Sequence, residues 1–302
     1  MATAIKAVRK QDKDLVVLDT GRIFPVTGKY IDRRGELALK EMAQMGYEAI
    51  AVGPSDIGKG FPVLQKMLAK KPNLPLVISN LVDSTGEKCP IGKRYIVLKR
   101  EGKRIAILAV APKEELAREI HTVGMDKRGV KAVAPDSAIK MIMGSIRNKV
   151  DMVVLVSHLS RQKTFSLLER IKGIDLVFLE MPERVIGATV PVNLKTKIVW
   201  VAPKGNVMKQ VKASLLENGQ VNIHTTSIRL DSSIPEDQRT ASFIKNEVGR
   251  WEAVDRKRFQ EWRKKILSMT PEEYIQYLAK HGNTPPRPPV EPTIPKTSSG
   301  CK

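Results

Sequence analysis

Acidic residues and one histidine follow several short apolar runs of the sequence, at places where they could meet and do chemistry. Apolar runs rich in Val, Ile and Leu are typical of buried parallel strands, whose carboxyl ends share one edge of a sheet. The residues placed near such ends are Asp19, Asp56, His158, Glu180 and Glu183. Carboxylates and imidazoles can bind metal ions or pair with cations, so their convergence would create a polar site.

Arg22 stands three residues after Asp19 and restricts what such a site can do. A guanidinium group stays protonated at ordinary pH and cannot ligate a divalent cation. Its charge could form a structural ion pair, or it could bind a phosphate or carboxylate group without activating water. Lys59 and Lys204 could assist, although a solvated surface side chain is the simpler interpretation of each. The candidate ligand-binding residues are Asp19, Arg22, Asp56 and His158.

A single metal ion could still be held by Asp56, His158 and Glu183. Arg22 would repel a cation placed beside it, and carboxylates next to an arginine more simply form ion pairs. We therefore expect no cofactor, with one divalent ion of Mn, Zn or Fe as the alternative.

The elements that must position these residues alternate between strand and helix over the first two thirds of the chain. Strands are predicted at residues 15–18, 49–52, 76–79, 95–99, 105–110, 151–156 and 175–178, and helices at 33–46, 61–68, 136–149 and 161–172. Three further strands are predicted at 197–201, 208–215 and 221–228, the last two joined across Glu217-Asn218-Gly219. This order predicts an α/β fold of four layers, with two packed mixed β-sheets flanked by helices.

The composition changes near residue 231. Residues 232–282 are predicted to form a helical extension, in which Thr270-Pro271-Glu272-Glu273 begins a helix and Gly282 ends it. Residues 283–302 are rich in proline and predict an extended linker or tail. The predicted boundaries are thus 1–231, 232–282 and 283–302.

The chain of 302 residues carries a formal charge of +20. Such charge favours anionic partners, but the positive residues are scattered, and aromatic residues for stacking on single strands make up only 5%. A specific nucleic-acid partner is therefore not expected, and a basic nucleic-acid-binding protein is kept only as an alternative. No apolar run is long enough for a membrane span.

The termini leave the location of the protein open. The opening MATAIKAVRK lacks the apolar core of a secretory signal, which indicates the cytoplasm unless a leader has been removed, in which case the periplasm fits. Two cysteines, Cys89 and Cys301, cannot form a disulfide framework. Cys301 could open a c-type haem attachment motif if the polypeptide continued, so a fused module or protein partner beyond the proline-rich end is a hypothesis.

Seven segments, in this order, resemble the N-terminal domain of the 5'-nucleotidase and UDP-sugar hydrolase branch of calcineurin-like metallophosphoesterases. They are VVLDTGRIF at 16–24, MGYEAIAVGPSDIGKG at 45–60, LPLVISNLVD at 74–83, GKRIAILAV at 102–110, VDMVVLVSHLSRQ at 150–162, GIDLVFLEMPERV at 173–185 and IVWVAPKGNVMKQVKASL at 198–215. The resemblance covers roughly residues 1–230. It implies hydrolysis of phosphate esters by two metal ions that a carboxylate bridges.

Most of the family's metal ligands have no counterpart in this sequence. Arg22 stands at the place of the bridging aspartate, and Gly53-Pro54-Ser55-Asp56 replaces the Gly-Asn-His-Glu motif. His158 matches the histidine of the Ser-His-Leu-Gly motif, whereas residues 179–183, LEMPE, replace Gly-Gly-His-Ser-His. A family strand with an Asp-x-His motif precedes the first matched segment, and here residues 2–10 resemble the tail of the helix that follows it.

These departures predict a degenerate, non-catalytic metallophosphoesterase domain that serves as an interaction or anion-binding module. The alternative from another class is a phosphoric ester hydrolase with a reduced or altered metal site. A phosphate-like anion is a candidate ligand for the first hypothesis, and bound metal with hydrolysis would favour the second.

Overall fold

The computed structural model of the protein describes residues 1–24, 31–58, 60–70, 74–181, 194–202, 205–217 and 219–281. Several residues singled out in the sequence therefore lie outside the described residues: Lys59, Glu183, Lys204, Asn218, Gly282, Cys301 and the proline-rich stretch 283–302.

The strands and helices alternate along the described chain. The strands are β1 (Leu18–Asp19), β2 (Ala49–Ala51), β3 (Leu76–Val77), β4 (Leu81–Val82), β5 (Tyr95–Arg100), β6 (Lys103–Val110), β7 (Lys131–Ala132), β8 (Met152–Ser157), β9 (Leu176–Glu180), β10 (Lys197–Val201), β11 (Val207–Leu215) and β12 (Val221–Arg229). The helices are α1 (Ala2–Gln11), α2 (Ile31–Met45), α3 (Pro54–Gly58), α4 (Phe61–Lys70), α5 (Lys113–Thr122), α6 (Pro135–Ile146), α7 (Arg161–Arg170), α8 (Gln238–Leu267) and α9 (Pro271–His281).

The central sheet has five strands in the order β10-β9-β8-β6-β5. All neighbours are parallel except β5 and β6, which form an antiparallel hairpin. Glu101 and Gly102 connect this hairpin with φ angles of 45° and 75°, the left-handed conformation that a two-residue turn of this kind requires. The β-branched run of β8 is buried on both sides, as expected for an interior parallel strand.

A second sheet, β1-β2-β3, is parallel and packs face to face with the central sheet. Strand β1 is shorter than the predicted run 15–18, because only Leu18 and Asp19 pair with β2. Apolar residues between the two sheets form one core cluster, to which Ala49 and Ala51 of the second sheet contribute opposite Ile107 and Val154 of the central sheet.

Helices cover the outer face of each sheet. Helices α6 and α7 pack on the central sheet through a second apolar cluster that contains Ile139, Leu155 and Leu167. Helices α1, α2 and α4 pack on the second sheet through a third cluster, with Ile5 of α1 and Leu39 of α2. The four-layer α/β fold predicted from the element order is confirmed. Smaller antiparallel ladders join β4 to β7 and β11 to β12.

The chain divides into two compact units, Met1–Pro235 and Glu236–Lys302. In the second unit, Asp237 caps α8 by accepting a hydrogen bond from the Thr240 amide at 3.1 Å. At the start of α9, the Glu273 carboxylate accepts from the Thr270 amide at 2.9 Å, while the Thr270 hydroxyl accepts from the Glu273 amide. This reciprocal capping explains why a helix begins there, as Thr270-Pro271-Glu272-Glu273 predicts. Within the described residues, we find no helix with the length and apolar character of a membrane span.

Candidate functional site

Four of the predicted site residues lie where strands of the two facing sheets end. Asp19 is the last residue of β1, Arg22 follows it, His158 comes directly after β8, and Glu180 is the last residue of β9. The carboxyl ends of parallel strands are the usual place for ligand sites in α/β proteins. All four residues line one cavity of about 1060 Å³.

The guanidinium of Arg22 forms an ion pair with Glu180, with 2.8 Å between Nη2 and Oε2. The two side chains are 59% and 39% exposed, so water screens the pair and limits its contribution to stability. A guanidinium has five N–H donors. Among the described residues, Glu180 is the acidic group paired with this guanidinium, which leaves further donors able to bind a second anionic group at the cavity.

The backbone of Arg22 is held in an unusual conformation by Asp56. Arg22 has a φ angle of 63°, which lies in the left-handed region that residues other than glycine seldom adopt. Its amide donates to Oδ2 of Asp56 at 3.0 Å, and the amide of Ile23 donates to Oδ1 at 2.8 Å. The Asp56 carboxylate thus fixes the turn that presents the Arg22 side chain.

Asp56 is fully buried and connects two loops of the site. Besides the two amides of the Arg22 loop, it accepts a hydrogen bond from the Gly53 amide at 3.0 Å. Burial raises the pKa of this carboxyl, and the amide donors lower it in part. Because main-chain donors engage both oxygens, the arrangement fits a structural role better than the metal-ligand or direct ligand-binding role predicted for Asp56.

Asp19 lies beside this network. Its Oδ1 accepts a hydrogen bond from the Gly21 amide at 2.8 Å. Burial, with a smaller contribution from the negative charge of Asp56, raises the pKa of Asp19 to about 6. Asp19 is therefore a carboxyl group that gains or loses its proton close to neutral pH.

His158 is the matched family histidine, and its ring packs against the backbone of two glycines. A β-carbon on Gly21 would come within 2.6 Å of the His158 ring carbon Cε1, and one on Gly53 within 3.2 Å. Nε2 of the ring is inaccessible to solvent and has no hydrogen-bond partner among the described residues. Burial, followed by the charge of Arg22, lowers the pKa of His158 to about 4. The imidazole is therefore neutral at pH 7.

The described residues do not form a metal centre. Within the described ranges there is no group of three or more His, Cys, Asp or Glu side chains that could hold a metal ion. The only matched histidine faces a fixed guanidinium charge, and Asp56 is engaged by amides. Glu183 lies outside the described residues, so a site of Asp56, His158 and Glu183 stays an untested prediction.

Sequence reasoning also missed several charged residues that line the cavity, and Glu41 is the buried one among them. Glu41 of α2 lines the cavity and is 5% exposed, and neither of its carboxylate oxygens has a hydrogen-bond partner among the described residues. The available signal was an acidic residue within the apolar stripe of α2 formed by Ala38, Met42 and Met45.

Two facing sheets between helical layers, with polar residues at the strand ends, define the class of the domain as a metallophosphoesterase-type α/β fold. A solved structure of the sulfate thiohydrolase SoxB of Thermus thermophilus matches this chain with a TM-score of 0.67 at 18% identity, covering 82% of this chain and 46% of that one. A 5'-nucleotidase precursor from the same species matches with a TM-score of 0.65 at 16% identity, covering 83% and 52%.

Sequence relatives agree with the structural neighbours. The chain is 22% identical over 276 residues to the trifunctional nucleotide phosphoesterase YfkN of Bacillus subtilis, covering 79% of this chain and 18% of that protein. It is 23% identical over 279 residues to the 5'-nucleotidase of Bos taurus, covering 83% and 46%. No family model matches the chain. The predicted resemblance to the N-terminal domain of 5'-nucleotidases is confirmed, and the chain spans less than half the length of these curated relatives.

Proposed function

We propose that this domain keeps the metallophosphoesterase fold but does not hydrolyse phosphate esters, and that it binds a phosphate-like anion through Arg22. The observation that carries the proposal is the 2.8 Å ion pair of Arg22 with Glu180 at the strand ends. A permanent cation there supplies positive charge without a metal ion, and a guanidinium cannot generate a hydroxide nucleophile.

Arg22 and His158 together offer suitable chemistry for an anion. Free N–H groups of Arg22 can bind two oxygens of a phosphate group side by side. His158 lies beside Arg22 as a neutral imidazole, so it adds no charge that would compete with the anion, and its Nε2 is buried without a partner among the described residues. Glu180 competes with the anion for Arg22, so the ion pair sets the affinity of the site.

The proposal is tested by isothermal titration calorimetry, which measures the affinity of the full chain for inorganic phosphate. We expect a Kd of about 1 mM or tighter for the unaltered chain. Arg22→Ala should weaken binding by about tenfold or more, because a hydrogen bond to a charged group contributes about 1.5–3 kcal/mol. Arg118→Ala is the matched control, since Arg118 is 69% exposed and does not line the cavity.

Other results would replace the proposal. Metal-dependent phosphatase activity that is lost in His158→Ala would establish a hydrolase with an altered metal site. If the unaltered chain and Arg22→Ala bound phosphate with equal affinity, Arg22 would not contribute to anion binding. Tight, steeply salt-dependent binding of DNA or RNA would favour the basic nucleic-acid-binding alternative.

A further inference from the structure

A second cavity lies next to the loop that follows β8. His158 lines the large cavity, whereas the next residue, Leu159, lines the second one, and the two share no lining residue among those described. The second cavity has a volume of about 420 Å³, within the range of about 300–1,000 Å³ that small-molecule sites occupy. We call it the helix groove, because its walls are residues 112–114 at the start of α5, residues 134–136 at the start of α6 and one face of α7.

The floor of the helix groove is apolar. Leu159 is 7% exposed and belongs to the apolar cluster between the central sheet and helices α6 and α7. Pro112, Ala134 and Pro135 line the groove beside it. Alanine and proline have no side-chain rotamer freedom to lose, so covering them with a ligand costs no side-chain entropy. The groove therefore offers a preformed surface for the apolar part of a small molecule.

Helix α7 supplies the polar wall of the groove. Gln162, Lys163, Ser166 and Arg170 line it, and their spacing of three and four residues places them on one side of a helix. The opposite side of α7 packs in the core through Leu168. The helix thus presents a continuous polar stripe to the groove.

The guanidinium of Arg170 is already engaged within the groove. Its Nε and Nη2 each lie 2.7 Å from Oδ2 of Asp136, and its Nη1 donates a hydrogen bond to the Ser166 hydroxyl. An arginine and an aspartate paired in this way neutralise each other. This pair therefore contributes no net charge toward a ligand.

Two lysines leave positive charge in the groove. The ammonium groups of Lys113 and Lys163 line it from α5 and α7, and neither has an ion-pair partner among the described residues. Glu114 is the remaining acidic residue of the lining. Two cations against one carboxylate favour an anionic ligand, and the carboxylate lowers its affinity.

We propose that the helix groove binds a small organic anion, with its acidic group between Lys113 and Lys163 and its apolar body against Leu159, Pro112 and Pro135. Carboxylates, sulfonates and phosphate monoesters with an aromatic or aliphatic body share this chemistry. An apolar surface with a few placed polar groups is the usual composition of a small-molecule site. Inorganic phosphate has no apolar body, so this site differs from the anion site at Arg22, and the proposal does not depend on it.

The probe for this test is naphthalene-2-sulfonate, an aromatic anion that contains no phosphate ester to hydrolyse. Methyl NMR of Leu159 in the full chain reports binding in the groove. We expect a Kd of about 1 mM or tighter. The uncharged analogue 2-naphthol should bind at least about fivefold more weakly, because it lacks the anionic group. Inorganic phosphate at the same concentrations should leave the Leu159 resonances unchanged.

Substitutions in the groove should change the affinity in opposite directions. Lys113→Ala and Lys163→Ala should each weaken binding of naphthalene-2-sulfonate by about threefold to fivefold, the effect of one solvent-screened charge. Glu114→Gln should tighten it by about twofold to threefold, since a competing carboxylate is removed. Lys140→Ala is the matched control, because Lys140 is an exposed lysine of α6 that lines neither cavity.

Three results would overturn the proposal. They are Leu159 resonances that do not respond to naphthalene-2-sulfonate, equal affinity for 2-naphthol, and equal affinity of Lys113→Ala, Lys163→Ala and Lys140→Ala for the probe. Arg22→Ala separates this proposal from the function proposed above. It should weaken phosphate binding while leaving the affinity measured at Leu159 unchanged, so that either proposal can fail without the other.

Discussion

The imidazole of His158 rests on Gly21 so closely that a β-carbon at position 21 would lie 2.6 Å from Cε1 of the ring. Gly21 also has a φ angle of 98°, which is strained for any residue with a side chain. The turn that follows β1 and the loop that follows β8 are therefore matched in shape, and this match places Arg22 beside His158.

Gly21→Ala should lower the free energy of unfolding by about 2–4 kcal/mol, since backbone strain and the clash with His158 add together. The matched control is Gly86→Ala. Gly86 has a φ angle of 81° but no atom within 4 Å of an added β-carbon, so it reports the strain alone. Chemical denaturation of both variants measures the difference. Equal losses of stability would show that the glycine is not required by His158.

Asp19 should make the domain more stable at mildly acidic pH than at neutral pH. Its pKa is about 6 in the folded chain against an ordinary value of 3.8, so the folded state binds more protons between these values. Stability should therefore fall as the pH rises from about 4 to about 6, by at most about 3 kcal/mol. Asp19→Asn should flatten this dependence and stabilise the domain at pH 7. Urea unfolding of the unaltered chain and of Asp19→Asn across this pH range measures the effect. The account would be contradicted if the unaltered chain became more stable from pH 4 to pH 6 relative to Asp19→Asn.

The pKa of His158 reports the charge that surrounds it. Burial and the Arg22 guanidinium lower it to about 4, so NMR of the ring should show no titration between pH 5 and 8. Arg22→Gln should raise this pKa, because a nearby positive charge is removed, and saturating phosphate should raise it in the unaltered chain. Arg118→Gln should leave it unchanged. A normal pKa near 6.5 in the unaltered chain would mean that the ring is not buried beside Arg22.

A substitution at Glu180 distinguishes an anion-binding site from a purely structural ion pair. Glu180→Gln removes a competing carboxylate and frees the Arg22 donor that it engages at 2.8 Å. Phosphate binding should tighten by about fivefold, while stability changes by less than about 1 kcal/mol because the pair is exposed. Titration calorimetry and thermal unfolding of the same variant provide both values. Lower stability with unchanged phosphate binding would identify the pair as structural only.

The layers of the fold could be predicted from the sequence because apolar runs and helical spacing recur in order. Helices α3 and α5 and strands β4 and β7 were not predicted, because each leaves little signal in the sequence. Helix α5 buries only Leu116 and Ile120 of its ten residues, which leaves little periodic signal. The ladder of β4 with β7 pairs two residues from each strand, and its partners are far apart in the chain.

The site was predicted in part. Strand ends indicated where Asp19, Arg22, His158 and Glu180 would meet, and they line one cavity. The sequence placed Asp56 near these residues but did not show that its carboxylate oxygens accept hydrogen bonds from main-chain amides. Every residue except proline has such an amide, so the identities of the donor residues do not predict these bonds. For Arg22, the sequence left two alternatives, an ion pair or anion binding. The ion pair with Glu180 could not be predicted, because the two residues are far apart in the chain and only the fold brings them together.

The central claim, a fixed arginine charge in place of catalytic metal ions, is tested most directly by the metal content of the chain after incubation with excess Mn²⁺ and removal of free ions. The account predicts substoichiometric metal and no phosphate ester hydrolysis, both in the unaltered chain and in His158→Ala. About two metal ions per chain, with hydrolysis that disappears in His158→Ala, would contradict it.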